Sequence, residues 1–208
     1  VNMAGNCICD DEACREASKQ EIIRRYFDAL NALAKGSTSE KEAQKIELLM
    51  NMAGITVTDR KVVIKALERA KETDGPAAAL ELRDGRIITG KTTNLLGASA
   101  ALLLNVLKVL AGIDHETHII SPESIEPIQK LKVDYLKSKN PRLHTDEVLI
   151  ALSASAATNP QARLALSQLP ELAGCQAHTS VMLSDVDIKI FKKLEVQLTS
   201  EAVYEHAL

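Results

Sequence analysis

Aromatic side chains are almost missing from this sequence. Tyr26, Phe27, Tyr135, Phe191 and Tyr204 make up 2% of 208 residues, and there is no Trp. That scarcity argues against the base-stacking platforms used to recognise single-stranded nucleic acid. An excess of one charge is also lacking. Lys and Arg number 25 against 28 Asp and Glu, for a net charge of −3. This excludes a broadly basic nucleic-acid-binding protein and an acidic disordered tail. No apolar run reaches the roughly 18 residues a membrane-spanning helix needs. The longest, Leu95 to Leu110, is interrupted by Asn105 and Lys108. The first residues lack the basic-then-apolar order of a signal peptide. Cysteine is sparse: Cys7, Cys9 and Cys14 crowd one end and Cys175 stands alone, a poor disulfide framework. A reduced, cytoplasmic chain with neither a nucleic-acid nor a membrane partner is therefore expected.

What is abundant is small and aliphatic: 27 Ala and 27 Leu. Such a composition favours closely packed helices. Residues 1–74 read as a helical subdomain. Apolar positions from Ala13 to Leu33 fall at helical spacing and stop at Lys35-Gly36-Ser37. Ser39 and Glu42 have capping-box spacing, and Gly54 is a C-terminal stop. A third stripe, Val62 to Ala70, ends at Asp74-Gly75-Pro76. The 12 basic and 13 acidic residues over this stretch need only a solvated helical surface.

Residues 75–208 change period. Ala77–Leu82, the turn Arg83-Asp84-Gly85 and the returning Arg86–Thr89 predict a β-hairpin. Leu95–Leu110 predicts a buried helix. Further strands are expected at His118–Ile120, Cys175–Leu183 and Glu195–Thr199. Helices are expected from Glu123 to about Tyr135, from Thr145 to Ala156, from Asn159-Pro160 to Gln168 and over Asp185–Lys193. The fold class is thus α/β, mixed α+β in detail. A layered α/β subdomain follows the helical one, with antiparallel pairing from the hairpin.

Gly85-Arg86-Ile87-Ile88-Thr89-Gly90-Lys91-Thr92 fits the G-x-x-x-x-G-K-[ST] phosphate-loop pattern. Its β-branched interior suits a strand better than a loop of free N–H groups. Lys91, Thr92 and Asn94 still precede a long helix whose N-terminus favours anions. A hairpin leading into a small-residue buried helix also resembles the cytidine deaminase fold. The helix start Leu96-Gly97-Ala98-Ser99-Ala100-Ala101, however, carries no zinc ligand and no carboxylate. The pairs His115/His118 and Cys175/His178 lack the further ligands of a structural zinc site, so no metal is expected. The polar run Lys139 to Glu147 offers Arg142 to hold a carboxylate or phosphate and His144 to move a proton. The bland alternative has Asp146 and Glu147 stabilising a helix start, with Arg142 paired to them. Asn2 and Asn6 belong to a second polar cluster.

Three long runs carry a family resemblance: Val1-Asn2-Met3-Ala4-Gly5-Asn6-Cys7, residues 16–26 (EASKQEIIRRY) and residues 138–152 (SKNPRLHTDEVLIAL). They resemble the bacterial uncharacterised protein family 0371, also called domain of unknown function 1846. The resemblance implies the C-terminal part of a longer protein: a helical subdomain, then an α/β subdomain of cytidine-deaminase-like topology without its zinc site. It supplies no catalytic residues. The implied partner is the N-terminal part of the same protein; the Ala- and Leu-rich helices separately suggest packing against further copies of the chain. No cofactor is indicated.

The resulting expectation is a small anionic or nucleotide-like ligand bound by Asn2, Asn6, Lys91, Thr92, Asn94 and Arg142, with His144 for any acid–base step. The alternative is a non-catalytic structural or oligomerisation module. Convergence of these residues on one concave surface separates the two.

Overall fold

A computed structural model describes residues 10–205, apart from the side chain of Pro122. The chain divides into two compact units, 1–61 and 62–208.

In the first unit, α1 (Asp11–Ala34) begins where the Asp10 carboxylate accepts the Ala13 N–H at 2.9 Å, an N-cap worth about 1 kcal/mol. α2 (Glu40–Ala53) ends at Gly54, whose φ of 65° lies in the left-handed region, where glycine carries no Cβ penalty. The two helices pack together. A 3-10 turn, Val57–Asp59, follows. The side chain of Gln20 bonds Arg60 Nη1 and the Asp59 carbonyl.

In the second unit, α3 (Lys61–Thr73) leads into β1 (Ala77–Glu81) and β2 (Ile87–Lys91). β3 (Gln176–Thr179) and β4 (Gln197–Ser200) complete a four-stranded sheet of order β2-β1-β3-β4. β1 is antiparallel to both neighbours, whereas β3 and β4 run parallel. Alternation along β1 explains its Ala-rich sequence. Ala78 and Leu80 enter the main core, while Ala79 faces the other way, onto Val62 and Ala66 of α3. Helices therefore cover both faces, and α3, within the stretch read from sequence as the helical subdomain, packs on the sheet through Val62 and Ala66.

The main face carries α4 (Ala98–Leu110), α6 (Thr145–Ser155), α7 (Pro160–Leu166) and α8 (Asp185–Lys193). α5 (Pro122–Lys130) continues into a π-turn over Leu131–Tyr135. α4 is buried almost all round. Leu102, Leu103 and Leu107 are at most 1% exposed, and each such leucine contributes about 1.5–3 kcal/mol of burial. Gly90 lets α4 lie against β2: a Cβ there would stand 2.2 Å from the backbone nitrogen of Leu102. Asn105 then donates to the Thr89 carbonyl at 2.9 Å.

Residues 87–91 are paired with β1 residue by residue, so the phosphate-loop pattern is a hairpin strand and Gly85 (φ 83°) is its turn. The expected strand at His118–Ile120 is irregular instead. Ile119 and Ile120 are both buried, and two consecutive buried residues break the alternation of a one-sided strand. α4 starts later than Leu95, because Thr93 Oγ1 accepts the N–H groups of Leu95 and Leu96 and closes a turn. No helix among the described residues is long and apolar enough to cross a membrane.

Candidate functional site

The segment 141–147 enters α6 through a dense set of polar contacts. Asp187, 3% exposed, lies in the first turn of α8 beside its N-cap, Ser184. Its Oδ1 accepts both the backbone N–H of Thr145 (2.9 Å) and the Thr145 hydroxyl (2.8 Å). Its Oδ2 accepts the Ser184 hydroxyl at 2.7 Å and lies 3.0 Å from His144 Nδ1. Burial pushes the Asp187 carboxyl up, but the donors from His144, Thr145 and Ser184 outweigh it and hold the group at about 2. Asp187 in turn raises the His144 imidazole above its usual value, against the effect of burial. Charge-assisted hydrogen bonds of this kind are the strong ones. His144 directs Nδ1 at the carboxylate, the arrangement that orients an imidazole for proton transfer. The Ser184 hydroxyl donates its short bond to Asp187 and lies 3.4 Å from His144 Nδ1.

Behind this pair, buried Lys132 donates to the Arg142 carbonyl (2.6 Å) and to Glu147 Oε2 (2.8 Å). The same Glu147 oxygen accepts the His144 N–H at 2.8 Å. Glu147 is thus the partner of Lys132, not of Arg142. Arg142 instead pairs with Glu205 at 2.7 Å.

Arg142, His144, Ser184, Asp187 and Glu205 line a cavity of about 210 Å3, together with Thr92 and the α4 start, Gly97-Ala98-Ser99. It is smaller than the roughly 300–1,000 Å3 of drug-sized pockets and suits a small ion or metabolite. Three helix N-termini meet there. That of α6 is satisfied by Asp187 and Glu147, and that of α8 by Ser184, whose oxygen accepts the Asp187 N–H. That of α4 has no side-chain cap, which leaves its first N–H groups without intrahelical acceptors. Thr92 Oγ1 is buried without a hydrogen-bond partner among the described residues.

The structure therefore brings Thr92, Arg142 and His144 together. Lys91 and Asn94 line a different cavity, since successive side chains at the end of β2 point to opposite faces. Asn2 and Asn6 lie outside the described residues. Asp187 and Ser184 were missed. Their signal was the S-x-x-D capping spacing of Ser184-Asp185-Val186-Asp187, which marks a helix start but not a partner 43 residues away. Among the described residues no group of three or more His, Cys, Asp or Glu is arranged to hold a metal. His178 is engaged by Thr199 (2.8 Å) and Glu201 (3.3 Å).

Residues 58–208 match a family model described as domain of unknown function DUF1846, C-terminal. The chain belongs to the DUF1846 family. Residues 1–54 match the N-terminal model of the same family, so the chain is not confined to the C-terminal family domain that the resemblance implied. A UPF0371 protein of Corynebacterium aurimucosum is 59% identical over 98% of this chain and 41% of its own length. One of Corynebacterium urealyticum is 56% identical over the same shares. One of Streptococcus thermophilus is 48% identical over 99% of this chain and 42% of its own length. The chain thus spans about two fifths of the length of the curated relatives it matches.

Proposed function

We propose that this DUF1846 chain binds a small anionic metabolite in the cavity at the N-termini of α4, α6 and α8. The observation that carries the proposal is the uncapped start of α4 opening onto the same cavity as Arg142, His144 and the unpartnered Thr92 hydroxyl. Free helix N–H groups and the helix dipole favour negative charge. The one acidic group buried there, Asp187, has its oxygens taken up by four donors, from His144, Thr145 and Ser184. Glu205 occupies Arg142 as a carboxylate would, so the ligand exchanges with it. A nucleotide-like ligand would offer only its phosphate to a cavity of about 210 Å3. His144 is the group placed to move a proton if a reaction accompanies binding. A deaminase-like relationship, read in the β1–β2 hairpin followed by buried α4, is part of the same proposal, as are a cytoplasmic location and completion of the site by the N-terminal part of the protein. The test is thermal unfolding of the intact protein against short carboxylates, inorganic phosphate and nucleotides. A native-state ligand raises the midpoint with concentration, and Arg142→Ala should remove most of that rise. No rise with any anion would overturn the proposal.

A second reading has its own support. Leu131, Tyr135, Leu136 and Ile150 are 50–77% exposed on the π-turn after α5 and on α6, and exposed apolar groups of this kind mark association surfaces. We infer that this region contacts another copy of the chain or the rest of the protein.

A further inference from the structure

The other cavity is larger, about 540 Å3, or on the order of eighteen water volumes. Its apolar wall comes from Leu95, Leu104, Ile119, Ile120 and Ile125. Its polar lining includes five basic side chains, Arg69, Lys91, Lys108, His115 and His118, and no Asp or Glu. Three of the five, Arg69, Lys91 and Lys108, carry a full positive charge, and the lining itself holds no carboxylate in a chain whose net charge is −3.

Two of these groups lack the partner their position calls for. Lys108 is 9% exposed on otherwise apolar α4. Its ammonium donates to the backbone carbonyl of His115 and forms no ion pair with a carboxylate among the described residues. Burial lowers its affinity for the proton, and Asp114 and Glu116 offset this only through space. A buried charge without a counter-ion is costly. Arg69 pairs with Glu72 through Nη1, but its Nε is buried with no hydrogen-bond partner among the described residues.

We propose that this cavity binds an aliphatic monocarboxylate, with its chain along the Leu104–Ile120–Ile125 wall and its carboxylate on Lys108 and Arg69. An acidic head supplies the missing counter-ion. A single negative charge matches the single buried cation, where a dianion would leave charge unpaired among apolar groups. An aliphatic body suits walls without Phe, Tyr or Trp. The volume accommodates about eight to twelve heavy atoms with the head, inside the usual range of ligand pockets. This proposal does not depend on the smaller cavity, and either can fail alone.

The test is isothermal titration of the intact protein with octanoate, octylammonium, octanamide and acetate. Octanoate should bind at one site, with the other three at least tenfold weaker. Lys108→Met keeps the side-chain length and removes the charge. It should weaken octanoate at least tenfold while leaving the thermal midpoint unchanged or higher. Arg69→Gln should weaken binding several-fold, and it decides the matter should Lys108→Met fail to fold. Failure of octanoate to bind, equal binding of octanoate and octanamide, or octanoate binding unaffected by both variants would overturn the proposal.

Discussion

Replacing Asp187 by Asn removes the charge at the centre of the His144–Thr145–Ser184 network while keeping its shape. The wild-type carboxyl titrates at about 2 against an ordinary 3.8. That gap is worth about 2 kcal/mol of stability above pH 4. The sign follows from the direction. A depressed carboxyl stabilises the fold fully above its unfolded value and loses that contribution as pH falls from about 4 to about 2. His144 behaves oppositely. Its raised value gives stability that is complete below about 6.5 and is lost as pH rises through the folded value. In Asp187→Asn both limbs should flatten. Near pH 5.5 the variant should be less stable by about 3 kcal/mol, because a broken buried pair leaves its partner uncompensated. Urea unfolding across the pH range measures the cost, and NMR titration of the His144 ring should show its value falling to the ordinary one or below. An unchanged acid limb, or a His144 titration that ignores the substitution, would refute the reasoning.

Three further outcomes are expected. Gly90→Ala places a methyl group 2.2 Å from the backbone of Leu102 and should cost about 3 kcal/mol or more, seen as a lowered urea midpoint; a midpoint within error of wild type would mean that α4 does not rest on β2. Glu205→Gln should release Arg142 from its ion pair and tighten phosphate or acetate binding severalfold by calorimetry, with stability changed by less than about 1 kcal/mol. Leu136→Lys with Ile150→Lys alters two exposed positions and should leave stability within about 0.5 kcal/mol per site while reducing self-association in sedimentation velocity.

Much of the second unit was legible because its signals are local. Asp84-Gly85 marked the hairpin, Asn159-Pro160 opened α7, and α8 began and ended at the expected residues. The boundary of α4 was not legible, since Thr93 closes a polar turn inside an apolar run. The role of Gly90 depends on the approach of a helix that no local pattern encodes. The site was half visible. Arg142 and His144 stood out by density of polar groups. Asp187 looked like an ordinary helix-start carboxylate, because its meaning comes from a contact across 43 residues. Lys91 and Thr92 are adjacent in sequence yet serve different cavities. Lys108 registered only as an interruption of an apolar helix; its burial beside a cavity is a property of the packed sheet and helices.

The proposal of a small-anion site at the start of α4 is tested most directly by an amide-resolved NMR titration of the intact protein with inorganic phosphate and a short carboxylate. The predicted result is saturable movement of the Ala98, Ser99 and Ala100 amides together with the His144 ring, at a midpoint lowered by Glu205→Gln. Shifts that do not saturate, or that fall on surface lysines while the α4 start stays still, would contradict it.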